Sequence, residues 1–219
     1  MVVDATTNKT CVLVQMAAQL DVLYTVQNES RHGYVDIPAN ATATGDCNKE
    51  SIELNWASVV VINGTNKTVS NVVGFGFIKV ENGTKYGLVD MRAMVYPDEA
   101  AFPGFKNYSE PITFYHKNYS FVTSLKHSYK CDKQQTLNLT SNESSNDTVA
   151  YFHVSNVQFQ AFANGTANNF LEAENCEAAE TPDIVPIAVG CALVALIIIV
   201  LVAYLIGRRR SQARGYLSM

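Results

Sequence analysis

The sequence has few basic residues and lacks the common catalytic motifs. Lysine and arginine total 16 in 219 residues, and no basic patch is interleaved with aromatic residues, which excludes a nucleic-acid-binding protein. No G-x-S-x-G, H-E-x-x-H, Walker or G-x-G-x-x-G pattern occurs. We therefore predict no catalytic residue, no cofactor and no metal site, and a protein that is not an enzyme. We interpret the four scattered histidines as surface or core residues: His32, His116, His127 and His153.

Charge is distributed unevenly along the chain. Residues 184–219 contain no Lys, Asp or Glu and hold four arginines. The remainder has 12 basic and 20 acidic residues, a formal charge of −8. A mildly acidic body is thus joined to a basic end.

One long apolar run decides the class of protein. Ile184–Ile206 is a stretch of 23 residues in which Tyr204 alone is neither apolar, small nor Pro. As a helix it would span about 34 Å, enough to cross a bilayer. A buried helix of a soluble domain is the alternative, but such helices are rarely apolar on every face. Arg208–Arg210 follows the run directly, so the positive-inside rule places the C-terminus in the cytosol.

This topology divides the chain into four parts. We expect a luminal β domain over 1–176, an acidic juxtamembrane linker over 177–183, a transmembrane helix over 184–206 and a cytosolic tail over 207–219. Met1–Asp4 offers no apolar signal region. We therefore expect the sequence to be a mature form or a fragment whose leader lies outside it.

Twelve Asn-x-Ser/Thr sequons occur, all before the apolar run. One match is weak evidence because the pattern is common by chance, but twelve on the predicted luminal side indicate N-glycosylation in the secretory pathway. The predicted acceptors are Asn8, Asn28, Asn40, Asn63, Asn66, Asn82, Asn107, Asn118, Asn138, Asn142, Asn146 and Asn164.

The cysteines agree with a luminal body. Four of the five precede the apolar run, and the fifth, Cys191, lies inside it. Four cysteines allow three disulfide connectivities. No C-x-x-C pair supports a zinc site.

Period-2 alternation predicts an antiparallel, sheet-based domain. Strands are indicated from Cys11, through Val72–Val80 and through Val154–Phe162, and Asn63-Gly64 and Asn82-Gly83 are favoured hairpin turns. Two short helices are also predicted. One is Pro97–Phe102, where Pro and two acids suit a first turn, and the other is Met16–Tyr24, where the alternation lapses.

Four stretches together resemble the lysosome-associated membrane glycoprotein family. They are CVLVQMAAQLDVLY at Cys11–Tyr24, HSYKC at His127–Cys131, VQFQAF at Val157–Phe162, and VPIAVGCALVALIIIVLVAYLIGRRRS at Val185–Ser211 running into GYLSM. The resemblance covers nearly the whole chain, and its span and tail are the most specific part. One departure is an extra residue between the arginine cluster and Gly215.

The resemblance implies a β-prism-like luminal domain with the disulfides Cys11–Cys47 and Cys131–Cys176. It further implies heavy N-glycosylation and residence in late endosomal and lysosomal membranes as a single-pass type I protein that passes through the cell surface. Support of lysosome integrity, lipid handling and fusion belongs to the same expectation.

The tail ends in a Tyr-x-x-bulky-apolar pattern, Tyr216–Met219. An extended segment of this kind offers backbone hydrogen bonds and two side chains at fixed separation, Tyr216 and Met219. Gly215 allows the turn into a binding pocket. The binding partner implied by the resemblance is the medium subunit of a clathrin adaptor complex.

Alternatives remain open at this stage. A small-residue stripe, Ala188, Cys191, Ala192 and Ala195, predicts either a homo-oligomer contact or plain exposure to the lipid bilayer. A concave apolar patch on the body would indicate lipid or sterol binding, or docking of a partner domain. The whole chain is alternatively a plasma-membrane receptor or adhesion glycoprotein that uses the tail only for endocytosis, or a membrane-tethered luminal enzyme.

Overall fold

The structure is a computed structural model that describes residues 1–62, 64–142, 148–163, 165, 169–176 and 184–215. The chain divides into two compact units, Met1–Cys176 and Glu177–Met219. The predicted antiparallel β domain with two disulfides, followed by one apolar helix, is confirmed.

The first unit contains thirteen strands in its described part. In chain order they are β1 Val2–Val3, β2 Thr10–Val26, β3 Glu29–Asp36, β4 Thr42–Asp46, β5 Ser51–Ile62, β6 Thr65–Val80, β7 Lys85–Val95, β8 Ile112–His116, β9 Ser120–Ser124, β10 Ser128–Cys131, β11 Gln135–Thr140, β12 Thr148–Gln160 and β13 Ala173–Asn175.

The strands form one extended hydrogen-bonded network. Successive neighbours are β1, β2, β12, β11, β8, β7, β6, β5 and β4. Four shorter strands attach to this path: β3 pairs with β2, β9 with β7, and β10 with both β12 and β13. Every pairing is antiparallel except that of β10 with β13. Many of the paired strands follow one another in the chain, and antiparallel neighbours can be joined by short turns.

Phenylalanines on the inner faces build the core. Phe75 and Phe77 alternate with glycines along β6, and both pack against Phe159 of β12, with ring centroids 5.6 and 5.5 Å apart. Phe121 stacks on the same ring at 5.4 Å. Since Phe159 is fully buried, this cluster joins β6, β9 and β12 into one apolar interior.

The predicted helix over Met16–Tyr24 is wrong, because these residues belong to β2. Every second residue of this segment, Met16, Ala18, Leu20, Val22 and Tyr24, belongs to the core or packs against it, so the period of two continues through it. The apolar Ala17 and Leu23 at the alternate positions conceal this period in the sequence. Opposite Met16, β12 carries a bulge, because its register shifts between Ser155 and Gln158 and Asn156 has a φ of 49°.

The predicted helix over Pro97–Phe102 is also wrong, and the segment forms a single turn. The Phe102 N–H donates to the Asp98 carbonyl at 2.8 Å, and the Ala101 N–H donates to the Asp98 side chain at 2.8 Å. Pro103 follows directly and disfavours helical backbone in the residue before it. The buried Phe102 ring then packs against Tyr24 instead of extending a helix.

Helix α1 is Ile184–Gly215. Its apolar window Val189–Ile206 has a mean hydropathy of 3.1, and it is the one helix in the described residues that is long and apolar enough to cross a membrane. The helix continues beyond Ile206, where the sequence predicted the span to end and the cytosolic tail to begin. Extending an existing helix gains one hydrogen bond per residue, and Arg, Gln and Ala are good helix formers.

Candidate functional site

The predicted glycan acceptors lie on the surface of the β domain. Each of the nine sequon asparagines in the described part is exposed, seven in turns or loops and two on strands. The turn and loop positions are Asn8, Asn28, Asn40, Asn82, Asn107, Asn118 and Asn142, and the strand positions are Asn66 and Asn138. Asn63, Asn146 and Asn164 lie outside the described residues. Exposure meets the first physical requirement for a bulky sugar.

Three of these asparagines also have a local backbone reason to be there. Asn8, Asn28 and Asn82 adopt left-handed backbone with φ of 54°, 67° and 56°. Asn tolerates this conformation better than most side chains do. Asn82 occupies the predicted Asn-Gly turn between β6 and β7, where Gly83 has a φ of 79°. At these positions a turn requirement and a glycan acceptor coincide.

The two disulfides join the predicted pairs. Cys11 at the start of β2 is bonded to Cys47, just after β4, and Cys131 at the end of β10 is bonded to Cys176, just after β13. Cys11 and Cys131 are buried at 5% and 1% exposure. All four body cysteines are thereby consumed, and no group of three His, Cys, Asp or Glu side chains in the described residues is placed to hold a metal.

A carboxylate fastens the last strand of the domain. The Thr123 hydroxyl donates to Glu174 Oε2 at 2.5 Å, and the Ser124 N–H donates to the same oxygen at 3.0 Å. These bonds favour the ionised form and hold the pKa of Glu174 below its ordinary value. Because the group stays charged in mildly acidic solution, this attachment of β13 to β9 persists there.

The pKa of a second carboxylate, Glu50, is shifted in the opposite direction. Burial raises the pKa of Glu50, although the Phe162 N–H donates to its Oε2 at 2.8 Å and Lys79 lies near. Glu50 thus joins the β4–β5 turn to the end of β12 at lower cost when it is protonated.

The histidines occupy different environments. His116 is buried and bonded through both ring nitrogens, to the Asn138 carbonyl at 2.8 Å and to Ser120 Oγ at 3.1 Å. His32 and His153 lie on neighbouring strands either side of Asp21, at 2.8 and 3.9 Å from its carboxylate oxygens. His127 Nδ1 is buried and has no hydrogen-bond partner in the described part.

Two shallow concavities lie beside β2 and share Ala17, Ala18 and Asp36 in their linings. One of about 460 Å³ is polar and includes Asp21, Tyr34 and His153 in its lining. The other, about 550 Å³, is lined mainly by apolar residues, among them Val14, Met16 and Leu54.

The membrane helix and tail are described in part. Cys191, Ala192 and Ala195 of the predicted small-residue stripe lie on α1 with exposed side chains, and Ala188 lies in its first turns. Gly215 is the last helical residue. Tyr216 and Met219, which the sequence predicted to be read by adaptors, lie outside the described residues, as does the linker over 177–183.

Comparison with known proteins matches both units. Residues 2–177 match the model of the luminal domains of lysosome-associated membrane glycoprotein 2-like proteins, and residues 185–216 match the transmembrane segment of lysosome-associated membrane glycoprotein 2. Lysosome-associated membrane glycoprotein 1 of Gallus gallus is 33% identical over 95% of this chain and 45% of its own length. The Homo sapiens protein of the same name is 30% identical over 96% of this chain and 45% of its own length.

The chain thus spans about half the length of these relatives. Among solved structures, the membrane-proximal domain of mouse lysosome-associated membrane protein 1 has a TM-score of 0.58 at 20% identity, covering 80% of this chain and 93% of its own. The human lysosome-associated membrane protein LAMP-3 has a TM-score of 0.57 at 21% identity, covering 80% of this chain and 96% of its own. These structures share the fold of the β domain. The chain belongs to the lysosome-associated membrane glycoprotein family and is a lysosomal single-pass membrane glycoprotein.

Proposed function

We propose that this protein is a structural component of the glycan coat on the luminal face of the lysosomal membrane, delivered there by the signal Tyr216–Met219. The exposure of every described sequon asparagine on a disulfide-linked β domain is the observation that carries the proposal. A dense sugar layer would separate luminal hydrolases from the bilayer and so support lysosome integrity. Roles in membrane fusion are a further expectation from the family.

Several features suit a long-lived structure in an acidic, hydrolase-rich lumen. Both disulfides close long loops, of 36 and 45 positions, which limits unfolding. Glu174 keeps its charge in mild acid and Glu50 is better accommodated when protonated. The sugars would add a steric barrier to proteases at the turns where they attach.

In this proposal the tail carries the sorting signal that directs the protein to lysosomes. Tyr216 offers an aromatic ring and a hydroxyl, Met219 an adaptable apolar side chain, and a partner sheet edge can bind the backbone between them. The partner is the medium subunit of a clathrin adaptor. The arginines of 208–210 hold the orientation and contact anionic lipid.

The test is steady-state location after mutation of the tail. Tyr216→Ala is expected to move the full-length protein from lysosomes to the cell surface, as measured by surface biotinylation and microscopy against lysosomal markers. Leu217→Ala is the matched control, because the adaptor is proposed to bind the side chains of Tyr216 and Met219 and not that of Leu217. Unchanged lysosomal delivery of Tyr216→Ala would refute the sorting role. Surface residence of the unmutated protein would favour the receptor or adhesion alternative.

Lipid or sterol handling is a second candidate function, favoured by the 550 Å³ apolar concavity. Ala17 lines it and is exposed, so Ala17→Trp fills it with little disturbance of the strand. We expect this variant to lose labelling by a photoreactive sterol. Thr44→Trp is the control, because Thr44 is exposed on β4 and does not line the concavity. Equal labelling of both variants would exclude binding at this place.

A further inference from the structure

The outer half of the β5–β6 hairpin is a ribbon of two strands with no further neighbour among the described strands. Strand β4 begins at Thr42, opposite Asn55, so it does not extend beside the rest of β5. The pairing of β6 with β7 begins at Val72. The ribbon therefore consists of residues 56–62 and 65–71, paired only with each other. Two-stranded ribbons are marginal alone, and unpaired strand edges are sites for association with other chains.

On one face of this ribbon, strand β5 presents apolar side chains to solvent. Val59 and Val61 are 61% and 52% exposed, whereas the intervening Val60 is 1% exposed and faces inward. The β-branched valines suit an extended strand. Their exposure beside a free edge creates the pattern that promotes edge-to-edge aggregation.

A predicted glycan acceptor lies on the same face, directly beside these valines. Val61 pairs with Asn66 across the ribbon, and Val59 pairs with Thr68, the third residue of that sequon. Directly opposed residues on antiparallel strands point to the same side, with Cβ atoms about 5 Å apart. Asn66 is exposed, so a sugar on its Nδ2 would emerge against Val61 and extend over Val59. Asn66 differs from the seven acceptors in turns and loops, because a strand fixes the direction of its side chain.

We propose that the oligosaccharide on Asn66 covers the valine face of this ribbon and blocks its open edge, so that this one glycan prevents the luminal domains from associating edge to edge. The inference rests on the proposed function, because sugar addition requires a luminal body. It assigns Asn66 a role that the other glycans do not have.

The test compares two substitutions of one residue in the full-length protein. Thr68→Ala removes the sequon while leaving Asn66 in place, and Thr68→Ser keeps the sequon. We expect Thr68→Ala to shift most of the purified, detergent-solubilised protein into larger species by light scattering after gel filtration. Thr68→Ser is expected to elute like the unmutated chain. Adding Val59→Thr and Val61→Thr to Thr68→Ala is expected to restore that elution position.

A second control addresses the loss of a glycan as such. Ser30→Ala removes the sequon of Asn28, at a hairpin tip flanked by the polar residues Gln27 and Glu29. We expect it to leave the elution position unchanged. An equal shift for Ser30→Ala, or no shift for Thr68→Ala, would overturn the inference. So would failure of the two threonine substitutions to restore elution.

Glycopeptide mapping separates this inference from the proposed function. An unoccupied Asn66 in a protein glycosylated elsewhere would overturn the inference alone. A protein without any glycan would overturn both.

Discussion

Loss of the Cys131–Cys176 disulfide gives a stability change whose size follows from the loop it closes. The bond joins positions 45 apart. In the chain-entropy model, cross-linking a loop of this length stabilises the folded state by about 4 kcal/mol at 25 °C. We therefore expect Cys131→Ser/Cys176→Ser to lower the free energy of unfolding by about that amount.

The surroundings of the bond explain why its removal should lower the free energy of unfolding by the full amount. Strand β13 has three residues, all exposed, so little apolar burial holds it in place. Its remaining attachments are hydrogen bonds, such as that from the Cys176 N–H to the Lys130 carbonyl at 2.7 Å and those of Glu174. Each such bond contributes about 1 kcal/mol net, too little to replace the covalent link.

The assay is urea unfolding of the detergent-solubilised full chain, followed by tryptophan fluorescence. Trp56 is the single tryptophan and lies on β5, so the signal reports one site. Cys191→Ser is the control and should leave the transition unchanged, because Cys191 forms no disulfide. A folded double variant that loses less than about 1 kcal/mol would refute the reasoning.

Four further outcomes are expected. Phe159→Ala should lower the free energy of unfolding by about 3–5 kcal/mol in the same assay, because the ring is fully buried among other phenylalanines; a loss below about 1 kcal/mol would contradict this packing. Glu174→Gln should lower the free energy of unfolding at pH 6. This difference should shrink as the pH falls below the ordinary carboxyl pKa of 4.5 and through the lower folded value, since a lowered pKa gives stability that is lost in acid. A pH-independent difference would contradict a stabilising role for the ionised Glu174. Glu50→Gln should become more stable relative to the unmutated protein as the pH rises from 4 to 7, because a raised pKa gives stability that is lost with increasing pH; the opposite slope in urea midpoints would refute it. Disulfide crosslinking through Cys191 in bilayers should trap a dimer if the small-residue stripe is a self-association face, and monomer alone would remove that hypothesis.

The sequence predicted the features that depend on local pattern. An uninterrupted apolar run, repeated sequons and an Asn-Gly turn each have a direct physical meaning. The disulfide pairing came instead from family resemblance, since four cysteines alone allow three connectivities. The strand class followed from alternation because β6 buries every second side chain.

The features that were missed had an ambiguous local pattern or depended on tertiary structure. In Met16–Tyr24 the apolar Ala17 and Leu23 stand at the positions opposite to the buried face and conceal the period of two. The segment Pro97–Phe102 forms one turn and not a helix, because the Phe102 side chain packs in the core. The exposed valines could be recognised only from the strand register, which places Val61 opposite Asn66 and shows that β4 does not extend beside them.

The central claim is that one membrane helix separates a glycosylated, disulfide-bonded luminal body from a cytosolic sorting tail. Protease treatment of intact lysosomes, with an epitope at the C-terminus, tests it most directly. We predict that the epitope is digested while the body remains protected and still shortens on treatment with an N-glycosidase after lysis. A protected epitope, or a protected body that the glycosidase leaves unchanged, would contradict the claim.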